Sequence, residues 1–166
     1  SFGQCLHLHQ ELSSTNSEAL ALAQAGAVHG TVVVAESQSA GKGRRARAWH
    51  SPPGANIYCS IVVRGIGRER ALAEWLSWVP LTSALAVAEA VQTSTSLSLS
   101  SKWPNDLLLH DRKVGGILCE SSHVSAKDPI VVIGIGLNVN MPHESFPEEL
   151  RLIATSLFEV SHRLID

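Results

Sequence analysis

Lys102-Trp-Pro-Asn-Asp-Leu-Leu-Leu-His-Asp-Arg-Lys-Val-Gly-Gly-Ile-Leu-Cys-Glu120 contains a turn and then a hairpin. Pro104 forces the turn after Lys102, and Trp103 beside it is expected to pack. The apolar run 107–109, the short polar turn 110–112 and the returning strand 113–120 read as a β-hairpin. Upstream, residues 70–92 have helical spacing, with Leu72, Trp75, Leu76, Val79, Leu85, Val87 and Val91 as the apolar positions; Pro80 should kink this helix or start a new one. Between the two lies a stretch of Ser, Thr and Leu alone, residues 93–101. Leu97 and Leu99 alternate there with serines, which predicts a strand with one wet face in its second half. Downstream, residues 130–139 read as a glycine-bearing strand buried on both sides, and residues 147–166 as weakly helical.

The N-terminal part adds more of both kinds. Residues 4–10 alternate like a strand. Thr15-Asn-Ser-Glu18 has capping-box spacing, which predicts a helix over 16–25 with Gly26 as its stop. Residues 31–35 and 56–63 read as strands, and residues 38–54 as a loop rich in Gly, Pro and basic residues. Strands and helices mix, with hairpins between neighbours. The expected class is α+β, a mixed and largely antiparallel sheet flanked by helices, in one domain spanning residues 1–166.

Composition narrows the function. The chain has 166 residues, 45% of them hydrophobic and 17% charged, enough apolar matter for a sizeable core and too much for a disordered tail. A net charge of −2 argues against a general nucleic-acid binder, because phosphate neutralisation needs a cationic face. Cys5, Cys59 and Cys119 form no CxxC pair and read as small buried hydrophobes in a reducing compartment. The longest apolar run, 130–137, is too short to cross a bilayer, and the first ten residues carry no signal-peptide pattern. A soluble cytoplasmic protein, free of DNA and membrane, is expected.

Four segments carry candidate chemistry. In Gly41-Lys-Gly-Arg-Arg-Ala-Arg-Ala-Trp49, four of the six residues from Lys42 to Arg47 are cationic. Its glycines allow close backbone approach, its arginine forks suit phosphate and carboxylate oxygens, and Trp49 offers a flat surface. The same loop fits a solvated basic turn, and its glycines and like charges predict disorder without ligand. Lys102, Asn105 and Asp106 form either an Asx-stabilised turn or a holder for a phosphate and its metal. Gly115 and Gly116 mark a bulge or close approach beside Lys113. Gly134-Ile-Gly-Leu-Asn138 leaves room for a flat ligand, or simply packs tightly. His7 and His9 read as half-buried histidines without a third metal ligand nearby.

In order along the chain, Ser14-Thr-Asn16, GKGRRARAW, SPPGANIYCS, KWPNDLLLHDRKVGGILCE and VVIGIGLNVN resemble the catalytic domain of biotin–protein ligases, over roughly residues 12 to 140. The resemblance implies a fold related to class II aminoacyl-tRNA synthetases. It implies that biotin and Mg-ATP form biotinyl-5′-AMP, and that the acyl group then passes to a lysine of a biotin carboxyl carrier protein. A homodimer is a possible assembly.

By motif position, Ser14, Thr15, Asn16 and Gln38 would line the biotin head-group site. Lys42, Gly43 and Arg44 would belong to a closing loop. Arg44 and Lys113 would be the catalytic cations, with Lys113 on the biotinyl carboxyl and α-phosphate. Gly115, Gly116 and Ile117 would form the wall along the biotin tail. Arg45, Arg47, Trp49, Lys102, Asn105, Asp106 and Asn138 would serve the nucleotide, Asp106 also magnesium through the phosphates. The chain departs from the family's GRGRRGR loop at Lys42, which keeps the charge without the fork, and at Ala46, which restricts φ. No helix-turn-helix precedes residue 12 and no SH3-like barrel follows, so a C-terminally truncated catalytic domain without a repressor role is expected. The alternatives are a lipoate–protein ligase of the same fold, a truncated non-catalytic biotin-binding module, and a nucleic-acid binder using residues 42–47.

Overall fold

β-Branched runs pair into one mixed sheet in the computed structural model, which describes residues 1–65, 70–125 and 128–166, with side chains outside 66–75 and 123–128. Among the described residues seven strands lie in the order β1-β2-β3-β7-β6-β5-β4. They are β1 (Leu6–Leu12), β2 (Val32–Gln38), β3 (Asn56–Arg64), β4 (Ser100–Lys102), β5 (Asp106–Leu109), β6 (Arg112–Ser125) and β7 (Asp128–Asn138). Only β1 and β2 pair in parallel; every other neighbour is antiparallel. The α+β expectation and its largely antiparallel sheet hold.

Alternation along β7 sorts the core into two faces. Ile130 and Val132 meet Val33, Val62 and the buried Ala19 and Ala23 of helix α1 (Thr15–Gln24). Ile133, Ile135 and Leu137 face the other way, into a core with Leu107, Val114, Ile117 and helix α2 (Arg70–Thr95). The two helices therefore cover opposite faces. Gly134 and Gly136 fall on the α1 face, and this sets up the cleft described below.

Helix α1 ends as expected at Gly26, whose φ is +104°. Gly26 N–H donates to the Ala23 carbonyl at 3.1 Å and Ala27 N–H to the Leu22 carbonyl at 2.9 Å, a Schellman stop. Its start differs from expectation. Ser14, one residue earlier, is the N-cap, and no side chain caps it. Thr15 is not available as a cap, because its hydroxyl turns to Gln38 Oε1 at 3.1 Å.

Helix α2 runs through Pro80, which neither ends nor restarts it. Val79, Ala84 and Val91 are buried, whereas Leu85 is 65% exposed; the apolar stripe passes through Ala84 instead. The side chains of Leu72 and Trp75 lie outside those described. The helix extends to Thr95, and Ser96 at φ 64° turns the chain. The strand expected in residues 93–101 thus shrinks to β4, while Leu97 and Leu99 still pack on the α2 core. His110 and Asp111 both take left-handed φ, 48° and 61°, the turn that matches the twist of a two-residue hairpin.

The last residues hold short 3-10 turns and a small helix, α3 (Leu157–Ser161). Just before it the chain runs beside β6. Lys113 N–H donates to the Ile153 carbonyl at 2.8 Å, and Thr155 N–H to the Lys113 carbonyl at 2.9 Å. No helix among the described residues is long and apolar enough to cross a membrane.

The cysteines separate into two kinds. Burial pushes the Cys59 thiol up to about 11 and the Cys119 thiol up to about 12. Cys5 is exposed, contrary to the expectation that all three are buried, because it lies just before β1 on the outer edge of the sheet. Since the thiolate is the nucleophile, iodoacetamide at pH 8 should alkylate Cys5 at least tenfold faster than the other two. Peptide mass spectrometry of the native protein reads this directly; equal rates at Cys59 would contradict the packing.

Candidate functional site

The glycines of β6 and β7 make space on the α1 face, and two side chains of the protein fill it. A methyl group on Gly134 would run into the Asn16 amide, with Cγ only 2.8 Å away. One on Gly136 would lie 2.6–2.8 Å from the Trp49 indole. Beside these two groups a cleft opens to solvent. Its lining includes Ser14, Thr15, Asn16, Gln38, Lys42, Gly43, Arg44, Trp49, Asn105, Lys113, Gly116 and Ile117, which the sequence singled out as site residues, and Leu118, Gly134, Ile135 and Gly136, which it did not.

The deep end is polar. Gln38 Oε1 accepts from Thr15 N–H at 2.9 Å and lies 3.1 Å from the Thr15 hydroxyl. Gln38 Nε2 donates to Ser51 Oγ at 2.9 Å, and Ser51 passes its proton to the Trp49 carbonyl at 3.0 Å. Ser60, fully buried, sits 2.8 Å from Thr15 Oγ1 and 2.6 Å from Asn16 Oδ1. Asn16 Nδ2 donates to Glu120 Oε2 at 2.7 Å and to the Leu118 carbonyl at 3.3 Å. Ser51, Ser60 and Glu120 lie at the ends of quoted motifs but were given no role from the sequence. For Ser60 and Glu120 the signal available was a polar side chain inside a strand, where an unpaired buried hydroxyl or carboxylate is costly.

The other end is cationic. Lys113 Nζ is 2.6 Å from Asp106 Oδ1 and 5.3 Å from the centroid of the Trp49 ring, within cation–π range. Arg44 Nη1 donates to Asn105 Oδ1 at 3.3 Å. Asn105 is itself tied to β6: its Nδ2 donates to the Ile117 carbonyl at 3.0 Å, and its carbonyl accepts from Ile117 N–H at 2.9 Å. The basic loop, expected to be disordered without ligand, forms a defined turn with Gly43 N–H on the Arg47 carbonyl at 2.7 Å. Arg45 and Ala46 hold it at φ 57° and 58°. Ala46 thus occupies a left-handed position that costs a residue with a Cβ about 1–2 kcal/mol.

Several expected ligand residues lie elsewhere. Gly115 faces the α2 core, where a methyl group would meet Leu107 and Leu137, because alternation turns it away from Gly116. Ile117 lines the cleft while its side chain is buried in the α2 core. Asn138 is buried and donates from Nδ2 to the Thr155 carbonyl at 3.0 Å, a structural tie outside the lining. Arg45, Arg47 and Lys102 are exposed and outside the lining. Trp103, expected to pack, is 78% exposed. Asp106, expected to serve magnesium, lies at the cationic end with Oδ1 2.6 Å from Lys113 Nζ. Among the described residues no three His, Cys, Asp or Glu come together as a metal site, and this includes His7 and His9.

The seven-stranded sheet thus carries a cleft with a polar cradle at one end and the cations Lys113 and Arg44 at the other. A solved biotin protein ligase from Aquifex aeolicus, in complex with biotin and ATP, superposes with a TM-score of 0.80 at 33% identity, over 98% of this chain and 63% of that one. The chain belongs to the biotin/lipoate A/B protein ligase family, whose model matches residues 9–138. Over 165 residues it is 39% identical to the bifunctional ligase/repressor BirA of Bacillus subtilis, covering 99% of this chain and 49% of that protein. Over 154 residues it is 37% identical to the biotin–[acetyl-CoA-carboxylase] ligase of Mycobacterium tuberculosis, covering 90% and 53%. The chain therefore spans about half the length of the curated relatives it matches.

Proposed function

We propose that this chain is an ATP-dependent ligase that activates biotin as biotinyl-5′-AMP and passes the biotinyl group to a lysine of a biotin carboxyl carrier protein in the cytoplasm. The observation that carries this reading is the polarity of the cleft: hydrogen-bonding groups fill one end and cations the other. A ureido ring offers two N–H donors and a carbonyl acceptor to Thr15, Asn16 and Gln38. A dithiolane offers none and gains no hydrogen bond from this polar end. Biotin is therefore favoured over lipoate.

In the first step a carboxylate oxygen of biotin attacks the α-phosphorus, the bond to the β-phosphate breaks, and pyrophosphate leaves. Both reactants are anionic, so the step needs positive charge held in place. Lys113, at the carboxylate end, and Arg44, fixed through Asn105, supply it. In the second step an uncharged lysine amine attacks the acyl carbon, and AMP leaves with the bonding pair. Between the steps the mixed anhydride needs protection from water, a role suited to the loop carrying Lys42, Gly43 and Arg44. Magnesium enters as part of the Mg-ATP substrate, coordinated by its phosphates, with Asp106 the carboxylate nearest the catalytic lysine.

Pyrophosphate release with Mg-ATP, compared among biotin, lipoate and no acid, tests this. Release should require biotin and fall by about 10²-fold in Arg44→Ala, as for loss of one charge-stabilising group. Biotin binding without release would make the chain a non-catalytic binding module. Lipoate-dependent release would assign it to the other branch of the family.

A further inference from the structure

Strand alternation should turn Lys113 away from the cleft. In β6, Gly116 lines the cleft and Gly115 faces the α2 core, so Val114 is due on the cleft side and Lys113 in the core. The protein does the reverse. The register of β5 on β6 shifts between Leu107 and Leu108, which leaves Leu107 opposite Gly115 and Leu108 opposite Lys113. At this bulge the fully buried Val114 joins Gly115 in the α2 core. Lys113 comes to the side of Gly116, where a methyl group added to the glycine would lie 3.5 Å from Lys113 Cε. The pairing of β7 with β6 begins at Gly115 and stops short of the bulge. Residues 153–155 take its place. The Ile153 carbonyl accepts from Lys113 N–H at 2.8 Å, and Thr155 N–H donates to the Lys113 carbonyl at 2.9 Å.

The contacts that hold residues 153–155 converge on Glu159 of α3, whose side chain is only 10% exposed. Its Oε2 accepts from the Thr155 hydroxyl at 2.7 Å and its Oε1 from His143 Nδ1–H at 2.9 Å. Arg112, next to Lys113, brings Nη1 to 3.5 Å from Glu159 Oε2 and to 3.5 Å from the Ala154 carbonyl. Glu159 therefore meets both the residue before Lys113 and the residue whose N–H holds the Lys113 carbonyl. We propose that Glu159 is a positioning residue for the ligase: by fixing residues 153–155 it keeps the bulge in place, and so keeps the Lys113 amine in the cleft. Glu159 itself does not line the cleft. Asn138 holds the Thr155 carbonyl from β7 at 3.0 Å, so loss of Glu159 loosens this clamp without releasing it. The inference rests on the reading of Lys113 as a cation of biotin activation, and it adds a residue outside the segment that carries the family match.

Pyrophosphate release, followed over a range of biotin and Mg-ATP concentrations, tests it, with thermal melting of each variant to confirm folding. Glu159→Leu should lower kcat about tenfold, because displacements below 1 Å already misplace a catalytic group. KM for biotin and for ATP should stay within about threefold, since the lost placement matters most where charge develops. Glu159→Gln still offers an oxygen to Thr155 and should keep kcat within about threefold of the parent. Thr155→Val removes only the hydroxyl that Glu159 holds; it should lower kcat by about threefold or more, and it tests the same contact should Glu159→Leu not fold. In a Lys113→Ala background Glu159→Leu should add less than about twofold, because the group through which it acts is gone. An unchanged kcat in Glu159→Leu and Thr155→Val, or an equal loss with and without Lys113, overturns the assignment. A parent protein that releases no pyrophosphate with biotin overturns the reading of the cleft itself.

Discussion

Lys113→Ala should reduce biotin-dependent pyrophosphate release by 10²- to 10³-fold while leaving the fold intact, the range seen when one group that stabilises developing charge is removed. The backbone of Lys113 is clamped from two sides: β5 pairs with it through Leu108, and the segment before α3 takes both its N–H and its carbonyl. Its Nζ therefore reaches a defined point beside Trp49. The Asp106–Lys113 pair does not lock that amine away. Their side chains are 30% and 34% exposed, and a pair so open to solvent contributes roughly 1 kcal/mol at most. A substrate carboxylate can replace Asp106 at small cost. For the same reason Lys113→Ala should shift stability by no more than about 1 kcal/mol, so lost activity will not reflect unfolding. Single-turnover pyrophosphate release and a melting curve on one sample separate the two. A variant with unimpaired release would remove Lys113 from the chemistry.

How far the sequence disclosed this site depends on the kind of signal. The hairpin through His110 and Asp111 and the stop at Gly26 were readable because turn chemistry is local. The cations of the basic loop were readable because they stand together in an unusual cluster, whereas Ser14, Thr15 and Asn16 were placed at the site only by their resemblance to the family's motif. Faces were harder. Gly115 and Gly116 are adjacent, and only strand register tells which of them looks into the cleft. Thr15 resembled a helix cap because the competing partner, Gln38, lies 23 residues away. Glu120 was invisible for the same reason: its partner Asn16 is 104 residues distant and meets it only once β6 and α1 share a face. Leu85 misled because the small Ala84 beside it, together with Val79 and Val91, marks the buried side of α2.

Gly134→Ala should abolish measurable biotin binding, a loss of at least 10²-fold, and destabilise the protein by about 1–3 kcal/mol, the usual range for overpacking. The added methyl would overlap the Asn16 amide, with Cγ at 2.8 Å and Nδ2 at 3.0 Å. Neither partner can yield cheaply. Gly134 lies in the interior of β7, paired to Ser60 on one side and Leu118 on the other. Asn16 is held by Glu120, Leu118 and Ser60, so moving it breaks three hydrogen bonds and leaves the fully buried Ser60 hydroxyl short of a partner. Gly116→Ala supplies the contrast. Its methyl would stand 3.4 Å from Trp49 and 3.5 Å from the end of the flexible Lys113 chain, a contact that small shifts accommodate. Biotin titration and melting on both variants should therefore give a steep loss for position 134 and a shallow one for position 116. Equal losses would mean that narrowing the cleft, rather than unseating Asn16, is what biotin senses.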